Sequence, residues 1–248
     1  MTDQIDTSHD AMTGTIAASG VLPRASSGSF VNHFAMVTQF LTWPILFPLF
    51  HILFSLSIRG RENFRAVRGS FIVVSNHVAF YDSFLFRMIL GAWTPHLPLR
   101  FMAVSKFRWR WLNFLSRMGV IKFIYSLFGV FTVVPGRGIG KNLEEARKII
   151  ADGGNVAIFA EGGIYTGPEN ARCRPGMCGV GPFKKGAAVL QKETGVSVVP
   201  VSFRVFPSFF RRRIVVNVGG PMNLLPGRSV EEITQSFRYA VESLYERV

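Results

Sequence analysis

The stretch FIVVSNHVAFYDS, residues 71–83, joins a run of apolar side chains to a histidine and an aspartate, His77 and Asp82. Neutral imidazole, with an unperturbed pKa of about 6.5, accepts a proton near neutral pH, and a carboxylate on its other nitrogen fixes the tautomer. Neighbouring side chains on a helix are three or four residues apart, so a spacing of five predicts a turn between a strand and a helix. Such a pair predicts a base and its orienting partner. An unrelated histidine and aspartate is the alternative for an isolated pair, and the downstream sequence decides between the two.

Three further blocks follow in order along the chain: AIFAEGGIY at 157–165, PFKKGAA at 182–188 and VVPVSF at 198–203. In this order the blocks resemble the glycerolipid acyltransferase family that contains the bacterial 1-acylglycerol-3-phosphate acyltransferases. The resemblance extends from about Gly60 to Gly220, with a looser counterpart of the family's second block at Gly129–Arg137. The matching residues are His77 and Asp82 for the H-x4-D motif, Phe159, Glu161 and Gly162 for the F-P-E-G block, and Pro200 for the V-P-V block.

The resemblance implies direct transfer of a fatty acyl group from a thioester, acyl-CoA or acyl carrier protein, to the free hydroxyl of a lysolipid. The acceptor expected first is 1-acyl-sn-glycerol-3-phosphate, which would give phosphatidic acid. His77 would be the base and Asp82 its partner, and Glu161 and Gly162 would shape the acceptor side. Neither a metal nor another cofactor is expected. The cations expected to contact a headgroup or the donor's phosphates are Lys106, Arg137, Lys184 and Lys185.

One departure from the family pattern concerns the acceptor. Gly163 and Ile164 stand where the family usually has a threonine and an arginine that help hold the acceptor phosphate. Another cation must then hold any phosphate, and the candidates in order are Arg137, Lys184, Arg172 and Arg174. The alternatives are an acyltransferase for another lysolipid such as a lyso-ornithine lipid, a thioester hydrolase, and a non-catalytic membrane-binding module.

The composition combines positive charge with hydrophobicity. The chain of 248 residues has 28 Lys and Arg against 15 Asp and Glu, a net charge of +13, and its mean hydropathy is +0.28. This combination predicts an anionic phospholipid membrane as a partner. The chain carries none of the motifs typical of nucleic-acid-binding proteins, so nucleic acid is not an expected partner.

Residues 30–58 are predicted to anchor the protein to the membrane, because no charged residue occurs from Ala25 to Ile58 and about 20 apolar residues suffice to span a bilayer. Pro44 and Pro48 interrupt helical hydrogen bonding, which leaves a kinked span or, preferred slightly, a helical hairpin that enters one leaflet. The arginines that follow favour the inner membrane with the active site on the cytoplasmic side. Two basic and aromatic segments, 106–118 and 203–213, are further predicted membrane contacts.

The remaining pattern predicts an α/β fold with a mixed, largely parallel sheet flanked by helices, preceded by the membrane-anchoring helical segment. Residues 1–29 are predicted to be a flexible tail and residues 59–248 the acyltransferase domain. Cys173 and Cys178 form too small a set for a zinc site and are expected to stay thiols. The predicted strands are Phe71–Val74, Arg100–Val104, Val130–Val134, Asn155–Ala160, Ser197–Phe203 and Ile214–Val218.

Overall fold

The structure, a computed structural model, describes residues 30–79, 81–91, 94–104, 114, 116–134, 136–167, 174–208, 210–223 and 227–247. The strands in these residues are β1 Phe54–Arg59, β2 Phe71–Ser75, β3 Leu99–Val104, β4 Val130–Val133, β5 Asn155–Phe159, β6 Ser197–Phe206 and β7 Arg212–Val218. The helices are α1 Phe30–Leu53, α2 Asp82–Leu90, α3 Val120–Leu127, α4 Ile139–Asn142, α5 Glu144–Ala151, α6 Gly186–Thr194 and α7 Val230–Glu246, with a 3-10 helix at Arg61–Ala66. The predicted tail, residues 1–29, lies outside the described residues.

The strands form one seven-stranded sheet in the order β1-β7-β6-β2-β5-β3-β4. Every neighbouring pair is parallel except β6 and β7, which are antiparallel. Parallel strands joined by helices place those helices on the faces of the sheet. The predicted mixed, largely parallel sheet flanked by helices is confirmed, and each of the six predicted strands is present.

The central strand β2 is apolar throughout because both of its faces are covered. Phe71 and Val73 pack on the side of α2, in a cluster that includes Phe86. Ile72 and Val74 pack on the opposite side against α5, α6 and α7. Burial of both faces removes the alternation of polar and apolar residues typical of a half-exposed strand. The turn that carries His77 therefore follows a strand that is buried in the core.

The predicted boundary at residue 58 between the anchor and the enzyme domain is wrong. Residues 54–59 form β1, an edge strand that pairs in parallel with β7 from Phe54 opposite Arg212 to Arg59 opposite Asn217. The folded domain therefore begins before residue 59. Its first strand has an apolar composition that continues that of the preceding helix, so the sequence carries no visible break there.

The helical-hairpin alternative for the anchor is also wrong, because α1 is a single helix of 24 residues that continues through Pro44 and Pro48. Among the described residues, His33–Leu53 is the one helical stretch long and apolar enough to cross a membrane. One face of α1 nevertheless packs on the domain through Ala35, Gln39 and Phe50, which are buried.

Gln39 fastens α1 to the domain by hydrogen bonds. Its Nε2 donates to the backbone oxygens of Leu99 and Phe128, both at 2.9 Å, and its Oε1 accepts from the backbone N–H of Leu99 at 3.2 Å. In addition, Nε of Arg87 donates to the backbone oxygen of Gln39 at 2.7 Å. A buried amide with these partners is stabilising, whereas an unpaired one costs about 1–3 kcal/mol. The helix is thus a part of the folded domain.

The opposite face of α1 is apolar and exposed. Val37, Leu41, Ile45 and Ile52 point away from the domain, and Ile45 and Ile52 are each 68% exposed. Their spacing of four or seven residues places them on one side of the helix. An exposed apolar ridge of this length marks a surface that contacts a membrane or a partner.

The C-terminal helix α7 begins at a capping box formed by Ser229 and Glu232. The hydroxyl of Ser229 accepts from the backbone N–H of Glu232, and the Glu232 carboxylate accepts from the backbone N–H of Ser229 at 2.7 Å. Asn142, in contrast, does not cap α5 with its side chain, since that side chain bonds both the N–H and the oxygen of Val134 after β4. It closes the loop that carries Arg137.

Candidate active site

The candidate site lies at one edge of the sheet, where parallel strands end together. The chain leaves β2 at Ser75, β5 at Phe159 and β4 at Val133, and the carboxyl ends of parallel strands share one edge. The turn that carries His77 follows β2, and the turn that carries Glu161 and Gly162 follows β5. Because β2 and β5 are neighbours, the two sequence blocks meet.

His77 and Asp82 form a hydrogen-bonded pair, with Nδ1 of His77 at 2.7 Å from Oδ2 of Asp82. Oδ2 also accepts the backbone N–H groups of Val78 at 2.7 Å and Ala79 at 3.0 Å. Three donors on one oxygen favour the ionised carboxylate, so Nδ1 carries the hydrogen and Nε2 keeps its lone pair. This is the tautomer that a base requires.

Asp82 is fully buried, and its burial raises the pKa of its carboxyl above the usual value, while the hydrogen bonds from His77, Ala79 and Val78 oppose that rise. Its second oxygen, Oδ1, has no hydrogen-bond partner in the part of the chain that the structure describes. The carboxylate therefore directs its interactions toward the turn that holds the imidazole. His77 is 20% exposed, so its ring is reachable from outside.

The imidazole ring is held by stacking as well as by Asp82. The rings of His77 and Phe159 lie 4.3 Å apart, centre to centre, and are tilted by 23°. Behind the ring, the side chain of Asn76 donates to and accepts from the backbone of Phe203, each at 2.8 Å. These contacts fix the turn on both sides. A base that is restrained in this way needs no reorganisation before it reacts.

The carboxylate of Glu161 supports the turn that carries His77. Its Oε2 accepts the backbone N–H of His77 at 2.8 Å, and its Oε1 accepts the backbone N–H of Gly181 at 2.6 Å. Burial raises the pKa of Glu161, although these two hydrogen bonds oppose the rise. Glu161 was predicted to bind substrate, but both of its oxygens are occupied by the backbone. In the structure its carboxylate holds the backbone on both sides of the site, and substrate binding by Glu161 stays a prediction.

A cavity of about 620 Å³ opens beside the pair and has mostly apolar walls. His77, Phe159 and Gly162 line the cavity at the sheet edge. Leu90, at the end of α2, and Leu99, at the start of β3, line it at the opposite end. From Asp82 to Leu90 the helix advances about 12 Å at 1.5 Å per residue. The cavity is therefore an elongated apolar pocket with the imidazole at one end, and its volume falls in the usual range for small ligands.

Helix α1 closes one side of this cavity, which sequence reasoning missed. Gln39, Thr42 and Leu46 belong to its lining, as does Arg87 on α2. Burial lowers the pKa of Arg87 to about 10, so the guanidinium stays charged at neutral pH. The available signal was a glutamine in the middle of a largely apolar helix, a position where a polar side chain needs a partner.

The predicted cations are placed unequally. Neither Lys184 nor Arg137 belongs to the cavity lining, but Lys184 packs its methylene groups against Gly162, which does, whereas Arg137 lies in the exposed turn after β4. Arg174 is exposed on the loop before α6. Lys106 and Arg172 lie outside the described residues. The structure thus brings one of the predicted cations to the turn that follows β5.

The expectation that the cysteines are thiols is wrong for Cys178, which is disulfide-bonded. Cys173 lies outside the described residues. Within the described part of the chain, no group of three or more His, Cys, Asp or Glu side chains is placed to hold a metal ion. His96 packs against the rings of Phe64 and Phe71 and does not belong to the cavity lining.

Comparison with known proteins gives the family. A family model described as Acyltransferase matches residues 55–204, which is more than half of the chain. The chain belongs to this acyltransferase family. The matched region includes the His77–Asp82 pair and the turn that carries Glu161. It also includes β2, β3, β4, β5 and most of β6.

The curated relatives share one name, and their sequence identity to this chain is modest. The 1-acyl-sn-glycerol-3-phosphate acyltransferase of Borreliella burgdorferi is 27% identical over 65% of this chain and 56% of its own length. A protein of that name from Chlamydomonas reinhardtii is 28% identical over 77% and 53%, and the human beta form is 30% identical over 57% and 44%. The chain therefore spans about half the length of the curated relatives it matches.

A solved structure confirms the fold. The 1-acyl-sn-glycerophosphate acyltransferase PlsC from Thermotoga maritima superposes with a TM-score of 0.52 at 19% identity, over 88% of this chain and 81% of that one. Agreement at this identity concerns the fold alone.

Proposed function

We propose that this acyltransferase moves a fatty acyl group from an acyl thioester to the hydroxyl of a lysolipid, foremost 1-acyl-sn-glycerol-3-phosphate, to give phosphatidic acid. The observation that carries the proposal is the His77–Asp82 pair, 2.7 Å apart, at one end of an elongated apolar cavity. The names of the curated relatives support this acceptor.

The chemistry requires a base more than a nucleophile. A thioester carbonyl is already electrophilic, so Nε2 of His77 takes the proton from the acceptor hydroxyl as its oxygen attacks the carbonyl carbon. Asp82 stabilises the imidazolium that forms. The tetrahedral intermediate then collapses, the carbon–sulfur bond breaks, and His77 returns the proton to the departing thiolate. The oxygen of the lysolipid ends in the new ester.

The cavity suits the acyl chain in this scheme. Phe101, Phe128 and Val130 contribute apolar wall between its two ends. Burial of an apolar chain is favourable by about 0.8 kcal/mol per methylene group, so the cavity binds a fatty acyl group and places its carbonyl beside His77. The thioester is a co-substrate, acyl-CoA or acyl carrier protein, and the scheme uses no metal or other cofactor.

The same proposal includes attachment to the inner membrane with the active site on the cytoplasmic side. The apolar ridge of α1 supports it, as does the β6–β7 turn next to the end of that helix, where Nη1 of Arg211 donates to the backbone oxygen of His51 at 2.7 Å. Phe210 is 90% exposed at this turn, and the three following residues are arginines. Apolar and cationic side chains together suit an anionic bilayer surface, where each cation contributes about 1 kcal/mol.

The deciding experiment measures thiol release and lipid products together. Purified protein in anionic vesicles is given an acyl thioester, with and without 1-acyl-sn-glycerol-3-phosphate, and products are identified by mass spectrometry. We expect thiol release that depends on the acceptor and matches phosphatidic acid formed. Release without acceptor would show a thioester hydrolase instead.

Gly163 and Ile164 favour testing a second acceptor in the same assay. Neither residue offers a cation or a hydroxyl, so an acceptor without a phosphate monoester, such as a lyso-ornithine lipid, is the alternative. Product from that lipid and none from lysophosphatidic acid would replace the first acceptor. Absence of both reactions would leave a membrane-binding module without catalysis.

A further inference from the structure

The acceptor side of the cavity lacks a cation on its own turn. Gly162, Gly163 and Ile164 line the cavity beside His77, and none of them carries charge. A phosphate monoester carries nearly two negative charges at neutral pH and binds cations or backbone N–H groups. Any cation that binds such a phosphate at this turn must therefore come from another part of the chain.

Lys184 reaches it. The backbone N–H of Lys184 donates to the oxygen of Ala160 at 2.7 Å, which ties the segment before α6 to the turn after β5. Gly162 has a φ of +74°, and a Cβ there would lie 3.2 Å from Cγ and 3.6 Å from Cε of Lys184. The methylene chain of the lysine thus runs along the glycine backbone. Glycine provides the left-handed conformation and the space for this approach.

The ammonium group of Lys184 is available. Lys184 is exposed, and its side chain makes no hydrogen bond or ion pair with another residue in the described ranges. The nearby carboxylate of Glu161 has both oxygens occupied by the backbone of His77 and Gly181. A lysine whose methylene chain packs on the turn and whose ammonium group has no partner in the described ranges is arranged to bind an anionic ligand there.

Lys185 shows the opposite arrangement one residue later. Its Nζ forms an ion pair with Glu231 on α7, on the other side of the segment. The two lysines share chemistry, exposure and sequence neighbourhood, but Lys184 alone of the pair packs on Gly162. Lys185, which was also expected from the sequence to contact a headgroup or the donor's phosphates, is instead held by this ion pair, so it is a matched control for the effect of charge in this segment.

We propose that Lys184 binds the phosphate of the acceptor lipid. It would replace the arginine that the family usually has at the position of Ile164. The inference rests on the proposed function and names the residue that selects an acceptor with a phosphate monoester. It also reverses the order expected from sequence, in which Arg137 came before Lys184. Lys184 is a binding residue here, and proton transfer stays with His77.

The test compares Lys184→Met, Lys184→Arg and Lys185→Met with the parent protein. Methionine keeps a stem that packs on Gly162 and removes the charge, so loss of packing is separated from loss of the cation. Each variant is assayed with lysophosphatidic acid and with monoacylglycerol, which offers the same kind of hydroxyl without phosphate. Loss of a bond to a charged group should raise the Michaelis constant for lysophosphatidic acid by about tenfold or more in Lys184→Met.

The expected pattern is specific. Lys184→Met should leave the Michaelis constants for the thioester and for monoacylglycerol within about twofold of the parent values, Lys184→Arg should restore most of the affinity, and Lys185→Met should behave as the parent. An unchanged constant for lysophosphatidic acid in Lys184→Met, or equal effects of both lysine substitutions, would overturn the inference. The proposed function would survive that result if the parent still forms phosphatidic acid, and would fail if it does not.

Discussion

Replacement of Glu161 by glutamine tests whether this side chain supports the catalytic turn or binds substrate. The carboxylate accepts one backbone N–H on each oxygen, from His77 and from Gly181. A glutamine has one oxygen and one NH2 group, so either orientation leaves one of these backbone donors facing another donor. The substitution therefore breaks one buried hydrogen bond and leaves its backbone N–H unpaired.

The size of the effect follows from two opposing contributions. A buried hydrogen bond to a charged group contributes about 1.5–3 kcal/mol. Burial raises the pKa of Glu161, which shows that its charge is itself unfavourable there, and glutamine removes that charge. The net loss should lie near the lower bound, about 1.5 kcal/mol, which corresponds to a melting temperature about 3–6 °C lower for a domain of this size.

The assays are thermal unfolding and steady-state kinetics on Glu161→Gln. Because the turn that carries His77 loses one of the two backbone hydrogen bonds that Glu161 makes, to His77 or to Gly181, we expect kcat to fall about tenfold to a hundredfold, since a small misplacement of a catalytic group has effects of that order. Glu231→Gln is the control, because that carboxylate is exposed and its ion pair contributes little. A raised Michaelis constant for the acceptor with no loss of stability or kcat would refute the positioning role and restore substrate binding.

The remaining predictions concern the dyad, the cavity and the membrane surface. His77→Ala should abolish transfer without unfolding the protein, and a tenth or more of parental activity would contradict its role as base. Asp82→Asn should lower kcat by about two to four orders of magnitude. Because burial raises the pKa of Asp82 above 3.8, its contribution to stability grows as the pH falls, so in chemical denaturation the parent should gain stability relative to Asp82→Asn between neutral pH and about 4. Ala103→Phe should fill part of the cavity and shift the preferred acyl donor toward shorter chains, which a panel of thioesters would show or exclude. Ile45→Asp should weaken flotation with anionic vesicles, whereas Tyr239→Asp, similarly exposed but on α7, should float as the parent does.

The sheet was largely predictable because its central strands are short apolar runs between turn residues. Phe71–Ser75 and Asn155–Phe159 are buried on both faces, so their composition alone marks them as strands. β1 was missed since Phe54–Arg59 follows an apolar helix without a break, and its strand conformation depends on pairing with β7 far along the chain. Local patterns do not report such a partner.

The site was predictable in its residues more than in their roles. The spacing of His77 and Asp82 and the family blocks identified the pair, and the structure brings the two side chains into contact. The sequence did not reveal that Glu161 bonds the backbone of His77, because a block shared with a family says nothing about which atoms meet. Gln39 went unnoticed for a related reason. Its partners, Leu99 and Phe128, are backbone oxygens that no residue type encodes.

The pairing of β1 with β7 sets an order of events during synthesis. Phe54 lies opposite Arg212, so the edge strand waits for a partner made 158 residues later. At about 5–20 residues per second, the ribosome needs roughly 8–30 s to supply it. Throughout that interval, α1 has been synthesised but the sheet on which it packs is incomplete. The apolar side chains of α1 therefore have time to contact a bilayer. Under the proposed attachment, the nascent chain can thus reach the membrane before its active site exists.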